Sequence, residues 1–554
     1  MKFRVLTRGD LSASVAVEAA SGSRRGRKDE AVKGREESDG CIVPEGRRKA
    51  VRTSVERREG GKAATASQEA RQLEMFFGTA DSPRGADGAL GAGGSAAGAY
   101  AVPKPRDDDR RVTPAMTMEE VATRANLMEA FKRVAENDGA PGPDRRTIAE
   151  VRKHLGEILP VLSRELLAGS FQPGIIRRVW IPKVGGGQRG LGIPNVVDRV
   201  VQQAVYQVMN PHYDPGFHPS SHGFRLNRSC HTAIAEARGY LEDGYEWVVD
   251  IDLEKFFDRV NHDRLLARLA PDVGDRRLLV LIRRMLKAAV VMPDGVVVSS
   301  DEGTPQGGPL SPLLANIVLD ELDRELARRG HRFVRYADDC NIYVRSQRSG
   351  ERVMASTSRF IERRLRLRVN QVKSAVAKPE ERHFLGFRLR REPDAGTVEV
   401  LLSKRSRERV NERIKQLTPR MWGQSLDDCI TRVNAYVQGW IGFFRIVTRA
   451  EERTLGVLDA HIRRRLRALV LRQWKCKRTV TKHLIHLGVK PSTARKNVYD
   501  GKRLRWALSH CPAVDRGLPN AYFADRGLRS IQARWLELQL QHVTVPVQLT
   551  LDLG

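Results

Sequence analysis

The stretch HRFVRYADDCNIYV, from His331 to Val344, decides the fold of this chain. Two apolar runs flank the adjacent acids Asp338 and Asp339, which predicts a β-hairpin with both carboxylates at its tip. Neighbouring carboxylates repel each other unless a cation lies between them, so the pattern favours a divalent-metal site. A third acid, Asp252, ends a second apolar strand. Acids from two strands can hold a pair of Mg²⁺ ions and support in-line nucleotidyl transfer, although an Asp-Asp pair taken alone is more often a solvated turn.

The charge of the chain indicates a polyanionic partner. With 554 residues the chain exceeds what one core holds, so several domains are expected. The net charge is +29 and the pI is near 10.3, which points to nucleic acid. Residues 401–510 carry 26 basic and 8 acidic residues, so the surplus is concentrated there. The cations expected to bind nucleic acid are Arg463, Arg464, Arg465, Arg467, Lys475, Lys477 and Arg478.

Aromatic residues are interleaved with these cations. Such an arrangement suits stacking on unpaired bases. A place in the hydrophobic core is the commoner use of an aromatic side chain, and we expect it for most of them. The residues concerned are Trp440, Phe443, Phe444, Trp474 and Trp506.

The six cysteines exclude two kinds of site. None of them forms a C-x-x-C pair, so neither a structural zinc site nor a disulfide framework is expected. This usage fits a reducing compartment. No apolar stretch is long enough to span a bilayer, so no membrane partner is expected.

Composition and periodicity divide the chain into segments. Residues 1–110 are polar and rich in Gly, Ala and Ser, which predicts a disordered extension and linker. Residues 247–378 alternate strand and helix patterns, and the pattern beyond Leu401 is helical and basic. We expect helices over Met118–Asn137, Ile148–Leu167 and Val196–Met209, and strands over Ile175–Ile181 and Arg189–Ile193.

A series of short blocks resembles the reverse transcriptases encoded by bacterial group II introns. No single block is specific, but their common order is. Further along the chain, Val433–Phe444 resembles the thumb, or maturase, segment of that family. The blocks are Asn137–Gly142, Ile181–Lys183 with Arg189–Pro194, Ser221–Arg225, Asp252–Asp258, Thr304–Pro312, Tyr336–Asp339, Asn370–Ser374 and Phe384–Phe387.

The resemblance implies an RNA-directed DNA polymerase with an α/β right-hand fold and an all-helical thumb. The implied segments are the extension and linker at 1–110, an amino-terminal part with the fingers at 111–245, the palm at 246–400, the helical thumb or maturase domain at 401–476, a DNA-binding region at 477–535 and a flexible tail at 536–554.

The resemblance also assigns catalytic roles to the acids. Asp252, Asp338 and Asp339 are the catalytic candidates. Asp252 and Asp338 would bind two Mg²⁺ ions, for which Mn²⁺ can substitute, with the Leu253 carbonyl as a helper. Asp339 is expected to give nearby support rather than to act as an equal ligand.

Several residues are expected to contact the dNTP substrate. Lys183 and Arg189 flank a tight glycine turn, where two cations suit a triphosphate. By resemblance, the ring of Phe257 excludes a ribose 2′-hydroxyl; because Phe256 is adjacent, one of the two must instead point inward. Gln306 and Gly307 are expected against the nascent base pair or the template nucleotide. Lys373 is expected near the triphosphate or the palm acids, with an exposed helix-end lysine as the alternative.

The expected partners are group II intron RNA and target DNA in the bacterial cytoplasm, at the nucleoid. The chain ends at Gly554 without the His, Asn and Cys ligands of the family's endonuclease, so second-strand cleavage is not expected. Two short segments resemble peptides that dock in the replication sliding clamp. Their candidate anchors are Gln72, Leu73, Met75 and Phe76 in one segment, and Gln548, Leu549, Leu551 and Leu553 in the other.

Three alternatives remain open at this stage. One is a host-recruited reverse transcriptase in repair or phage defence, for which the long amino-terminal extension leaves room. Another is a polymerase-inactive splicing chaperone, against which the intact Asp252, Asp338 and Asp339 argue. The third is a structural nucleic-acid coat, which explains the charge but none of the acids.

Overall fold

The computed structural model of this chain describes residues 116–182, 187–299, 301–392, 396–419, 423, 425–500 and 505–543. The predicted disordered extension, both candidate clamp-docking segments and Lys183 lie outside the described residues. Within these ranges, no helix is both long and apolar enough to cross a membrane.

The amino-terminal helices share one hydrophobic core with the palm. Two of the helices predicted here are each divided in two. Thr123 has an extended ψ of 140°, and its hydroxyl accepts a hydrogen bond from the Asn126 N–H, so it ends one helix and caps the next. His154 separates the second pair. The helices are α1 (Met118–Ala122), α2 (Arg124–Glu136), α3 (Ile148–Lys153), α4 (Leu155–Leu167) and α5 (Val196–Tyr213).

A four-stranded sheet in the order β2-β1-β4-β5 forms the fingers. The two predicted strands pair antiparallel, with Ile181 opposite Arg189. A short hairpin from the palm side extends this sheet. The strands are β1 (Ile176–Pro182), β2 (Gln188–Ile193), β4 (Val290–Val291) and β5 (Val297–Val298).

The palm is a second four-stranded sheet, in the order β6-β7-β3-β8. Its inner residues are fully buried; Val249, Ile251 and Ile342 have no exposed surface. β6 and β7 form the predicted hairpin around the two acids, and β3 pairs antiparallel with β7. The strands are β3 (Trp247–Ile251), β6 (Arg332–Tyr336), β7 (Asp339–Val344) and β8 (Ala375–Ala377).

Helices cover the palm sheet. One of them begins at Ser311 with Pro312 in its first turn, as the sequence predicts, because proline needs no N–H partner there. The helices are α6 (Cys230–Glu242), α7 (Phe256–Arg259), α8 (His262–Leu269), α9 (Arg276–Leu286), α10 (Ser311–Arg328) and α11 (Gln347–Phe360).

A two-stranded sheet and three long helices lead into the thumb. The rings of Phe387, Phe443 and Phe444 pack together there, with centroid separations of 4.9 to 5.6 Å. Trp440 and Phe444 are buried, so the prediction of a core role holds for both. The elements are β9 (Phe387–Arg391), β10 (Val398–Leu402), α12 (Lys404–Leu417), α13 (Leu426–Phe444) and α14 (Glu452–Gln473).

Short helices make up the carboxy-terminal region. The predicted flexible tail at 536–554 begins too early, because the last helix continues to Val543 and buries Trp535. Asp459 of α14 holds the start of this helix by accepting hydrogen bonds from the N–H groups of Ile531 and Gln532. The helices are α15 (Lys477–His486), α16 (Pro491–Tyr499), α17 (Arg505–Leu508), α18 (Pro512–Gly517), α19 (Asn520–Ala524) and α20 (Ile531–Val543).

Candidate active site

Strand pairing brings the three acids to one edge of the palm sheet. Tyr336 pairs with Asp339, so Ala337 and Asp338 form a two-residue turn between β6 and β7. Ile251, the last residue of β3, pairs with Cys340, which places the following residue, Asp252, beside Asp339. The structure therefore brings together Asp252, Asp338 and Asp339, the residues singled out from the sequence.

Lys373 lies against Asp252. Its Nζ is 3.1 Å from both Oδ1 and Oδ2 of that carboxylate. The loop that carries the lysine is tied to the same residue, because the Asn370 N–H donates to the Asp252 carbonyl at 2.8 Å and the Asp252 N–H donates to the Ser374 hydroxyl at 3.0 Å. Of the two sites predicted for Lys373, the structure shows the contact with the palm acids.

The acids strongly influence one another. Desolvation and the nearby Asp252 raise the pKa of Asp338, and the cations Arg189 and Lys373 oppose that rise. Desolvation, followed by repulsion from Asp338, Asp250 and Asp252, raises the pKa of Asp339 above its usual range. Asp339 is the exposed first residue of β7, so an incoming cation can relieve the repulsion among these carboxylates.

The palm acids fit a divalent ion whose coordination is completed by the substrate. Among the described residues, no three His, Cys, Asp or Glu side chains converge as a complete metal cage. Mg²⁺ is commonly held by one or two carboxylates together with substrate phosphates, so a partial set is what such a site needs. Leu253 lies opposite Val369 in an antiparallel bridge whose two hydrogen bonds are made by its neighbours, Asp252 and Glu254. The Leu253 carbonyl takes no part in these hydrogen bonds.

The fingers reach the palm through β2. Arg189 lies close enough for its charge to oppose the rise in the pKa of Asp338. The Gly192 N–H donates to the Gln306 carbonyl at 2.7 Å, and Gly307 has a φ of +120°. A Cβ on Gly307 would clash with the Gly192 carbonyl oxygen, so the glycine is explained by the close approach of β2. Contact of Gln306 and Gly307 with a nucleotide stays a prediction.

Of the adjacent residues Phe256 and Phe257, one points into the core, as the sequence analysis expected. Phe256 is 2% exposed and belongs to the palm core, whereas Phe257 is half-buried. The two rings meet edge to face, with centroids 5.2 Å apart. The inward role thus belongs to Phe256, and selection against ribose by Phe257 stays a prediction.

The predicted nucleic-acid-binding cations fall into three groups by their exposure. Lys475, Lys477 and Arg478 are exposed around the start of α15. Arg467 is buried, forms an ion pair with Asp515 at 2.6 Å and donates to the Leu518 carbonyl, so it holds the carboxy-terminal helices to α14. The remaining cations are half-buried; the Arg464 guanidinium lies over the Trp506 ring at 4.3 Å, and Arg465 donates to Thr418.

One pair of residues near the site was missed by the sequence analysis. Arg382 binds Oδ2 of Asp250 through two N–H groups, at 2.9 and 2.6 Å, and also donates to the Lys373 carbonyl. It therefore steadies the loop that carries Lys373. The available signal was Asp250 itself, since residues two apart on a strand share a face and Asp250 precedes Asp252 by two.

Comparisons with known proteins agree with this geometry. Residues 181–389 match the family described as reverse transcriptase (RNA-dependent DNA polymerase), and residues 407–486 match the group II intron maturase-specific domain. These matches confirm the predicted fold class and the predicted class of enzyme, an RNA-directed DNA polymerase.

Individual relatives match different shares of the chain. YkfC of Escherichia coli K12 is 32% identical over 337 residues, which cover 53% of this chain and 88% of YkfC. The group II intron-encoded protein LtrA of Lactococcus lactis subsp. cremoris is 37% identical over 30% of this chain and 28% of LtrA. The putative COX1/OXI3 intron 1 protein of Saccharomyces cerevisiae is 34% identical over 36% of this chain and 24% of that protein. With most of one relative covered and both family segments present in order, this chain belongs to the group II intron-encoded reverse transcriptases and maturases.

Proposed function

We propose that this chain binds group II intron RNA, promotes its splicing and copies it into DNA during intron insertion. The observation that carries the polymerase part is the convergence of Asp252, Asp338 and Asp339 at one edge of the palm. Lys373 lies 3.1 Å from Asp252, and the charge of Arg189 in the fingers opposes the rise in the pKa of Asp338. Acids and cations close together suit a triphosphate and its metal ions.

Each residue then has a role in nucleotidyl transfer. Asp252 and Asp338 hold two divalent ions, Mg²⁺ by preference with Mn²⁺ as a substitute, assisted by the Leu253 carbonyl and by Asp339. Such ions, when bound, activate the primer 3′-hydroxyl and stabilise the departing pyrophosphate. Arg189 binds the triphosphate, and Lys373 neutralises the acids before the substrate arrives.

Primer extension on an RNA template tests this function. Wild type with dNTPs and Mg²⁺ should make cDNA, and Asp338→Ala should reduce the rate by about a thousandfold or more, because several kcal/mol of transition-state stabilisation depend on the metal ions. Asp294→Ala, in the exposed turn between β4 and β5, is the matched control and should extend normally. Folded wild type that binds intron RNA and makes no cDNA would contradict the polymerase and leave the splicing chaperone.

The maturase part of the proposal rests on the exposed cations around the start of α15. Lys475, Lys477 and Arg478 are exposed and lie in a run, 460–499, that contains no acidic residue. Such a surface suits the phosphate backbone of a folded RNA. The stacked pair of Arg464 and Trp506 borders it from the adjoining helices.

Target DNA is assigned to α15 and α16. The two helices are joined by a short turn in which Gly488 has a φ of +85°. Leu484, Ala494 and Val498 are buried on their inner faces. Residues from both helices line a shallow cavity of about 580 Å³. The lining residues are Arg478, Thr481, Lys482, Ile485, Arg495 and Tyr499.

Two helices joined by the short segment 487–490 resemble a helix-turn-helix, a motif that places its second helix in the major groove. A helix about 10–12 Å across fits the major groove of B-DNA, which is about 12 Å wide. The deep, narrow major groove of an RNA duplex does not admit it. We therefore assign α16 to double-stranded DNA.

Arg495→Ala tests the assignment. Binding to a DNA duplex should weaken, and the slope of log affinity against log salt should fall by about 1, since one phosphate contact is lost. Lys132→Ala, which removes an exposed cation in the fingers, is the control and should leave the slope unchanged. Equal loss of affinity for an RNA duplex would contradict the assignment to DNA.

Docking in the sliding clamp and a place at the nucleoid are further parts of the proposal. Both rest on the sequence, because the two candidate peptides lie outside the described residues. A pull-down of the purified clamp, with Phe76 and Leu551 replaced by alanine as controls, tests the first.

A further inference from the structure

Arg335 is a buried cation directly beneath the catalytic turn. It lies on β6, three residues before Asp338, and its side chain is 1% exposed. Its counter-ion, Asp323 of α10, has no exposed surface. The Arg335 backbone is also fixed, because its N–H donates to the Ser220 carbonyl and its carbonyl accepts from the His222 N–H.

All five N–H donors of this guanidinium have a partner. Nε and Nη2 bind the two oxygens of Asp323 at 2.7 and 2.6 Å. Nη2 also donates to the Ser221 hydroxyl at 2.6 Å. Nη1 donates to Asn316 Oδ1 at 3.0 Å and to the Ala337 carbonyl at 2.9 Å. A guanidinium has five such donors, so its capacity is used in full.

The bond to Ala337 bears directly on the active site. Ala337 has a φ of +57°, a left-handed conformation that an alanine adopts at a cost. Its carbonyl belongs to the peptide bond that leads into Asp338. Fixing that oxygen fixes the plane of the peptide, and with it the direction in which Asp338 leaves the turn.

The other partners brace the same turn. Asn316, which accepts from Arg335, donates to the Gly223 carbonyl at 2.8 Å. Gly223 lies so close to the turn that a Cβ there would clash with the Ala337 nitrogen. Arg335 thus joins α10, the segment 221–223 and the catalytic turn in one buried network.

We propose that Arg335, held by Asp323, is a positioning residue that sets the Ala337–Asp338 peptide and so the metal-binding direction of Asp338. The inference rests on the proposed polymerase function. A buried ion pair is weak evidence for stability, since well-packed apolar residues often replace one without loss. The hydrogen bond from Arg335 to the Ala337 carbonyl is one that apolar residues in place of this ion pair could not make.

Arg335→Lys is the primary variant. Lysine keeps the charge and can keep an ion pair with Asp323, but it lacks the planar fork that reaches Ala337 and Ser221 together. The rate of single-nucleotide incorporation should fall by about tenfold to a hundredfold. The dNTP concentration for half-maximal rate should change little, and the Mg²⁺ concentration for half-maximal rate should rise.

Arg225→Lys is the matched control. Arg225 is also a buried arginine paired with an aspartate, Asp214, and its other hydrogen bonds go to the carbonyls of Asp214, His218 and Ser221. None of these partners lies in the catalytic turn. Its replacement should lower the melting temperature and leave the Mg²⁺ dependence of the folded enzyme unchanged.

Two further variants keep the test decisive. Ser221→Ala removes one of the five acceptors and should raise the Mg²⁺ requirement in the same direction, so it serves if Arg335→Lys does not fold. Ala337→Gly added to Arg335→Lys should restore part of the rate, because glycine takes a positive φ without strain.

The outcomes separate the two proposals. Wild type without polymerase activity contradicts the proposed function itself. An active wild type in which Arg335→Lys and Ser221→Ala change only the melting temperature, as Arg225→Lys does, overturns the positioning role and leaves the polymerase intact.

Discussion

Lys373 places a positive charge next to the carboxylate of Asp252 in the cluster of palm acids. With its Nζ 3.1 Å from both oxygens of Asp252, it balances a carboxylate that Asp338 and Asp339 would otherwise repel. The sequence left two readings of this lysine, a place near the triphosphate or the palm acids and an exposed lysine at a helix end. The sheet pairing that places Asp252 beside the loop at 370–374 decides in favour of the palm acids.

Asp275 shows how a single carboxylate holds two elements. It caps α9 by accepting from the Arg277 N–H at 2.8 Å, accepts from the Met118 N–H at the start of α1, and pairs with the Arg277 side chain. The side-chain hydrogen bond from Arg277 is the main reason that the pKa of Asp275 is lowered to about 2.

Asp275→Asn should therefore lower the free energy of unfolding by about 1–2 kcal/mol at pH 7. A carboxyl whose folded pKa is depressed stabilises the fold above its unfolded pKa of about 4, and that stability is lost as the pH falls towards 2. Urea unfolding at pH 7 and pH 3 should show a smaller difference between the variant and wild type at pH 3.

The control for this experiment is Asp263→Asn. Asp263 is exposed and 3.9 Å from Arg283, so its ion pair should contribute less than about 1 kcal/mol at either pH. A difference for Asp275→Asn that is the same at both pH values would show that the charge of Asp275 is not what stabilises α1 and α9.

At the scale of elements, the strands were predicted more accurately than the helix breaks. The hairpin at 331–344 was predictable because apolar alternation and a polar turn agree there. The breaks at Thr123 and His154 were missed because the apolar spacing runs through them. At the first break, the extended backbone of Thr123 ends α1 and its hydroxyl caps the start of α2. The buried role of Arg467 was also beyond the sequence, since a run of arginines does not show which of them faces a protein acid.

The junction between the fingers and the palm depends on Gly307. Gly307→Ala should reduce primer extension at least about tenfold, because the new Cβ would push β2, and Arg189 with it, away from the palm acids. Single-nucleotide incorporation across a range of dNTP concentrations measures this, and the defect should include weaker dNTP binding.

Gly295→Ala provides a control with similar backbone strain. Gly295 has a φ of +87°, but a Cβ there would meet nothing within 4 Å. It should cost about 1 kcal/mol of stability and leave incorporation unchanged. If the two glycine variants behave alike, backbone strain and not the contact with Gly192 explains the loss.

Across the whole molecule, one hydrophobic core joins the outer side of the palm to the thumb and the last helix. Val248 and Tyr343 of the palm, Ile441 of the thumb and Trp535 of α20 belong to the same cluster. The sequence divided these residues among three domains, because composition and charge change between them while the packing does not.

Trp535→Ala should therefore destabilise more than its own helix. Trp535 is 1% exposed and donates to the Val447 carbonyl at 3.2 Å. Its loss should lower the free energy of unfolding by about 3–5 kcal/mol, measured by urea titration. Trp180→Ala, at an exposed position in the fingers, should cost less than about 1 kcal/mol. A small effect at Trp535 would show that α20 contributes little to the shared core.

The shared core also fixes the distance between the proposed DNA-binding helices and the palm acids. Because packed interiors transmit displacement instead of absorbing it, the helix pair α15–α16 keeps a fixed offset from the palm acids. If α16 binds duplex DNA, the protein sets the number of base pairs between the bound sequence and the first copied nucleotide. This can be tested by inserting base pairs between the sequence bound by α16 and the original start of cDNA synthesis. The distance from the bound sequence to the start should stay constant, so the start should shift by one nucleotide, relative to the original site, for each inserted pair.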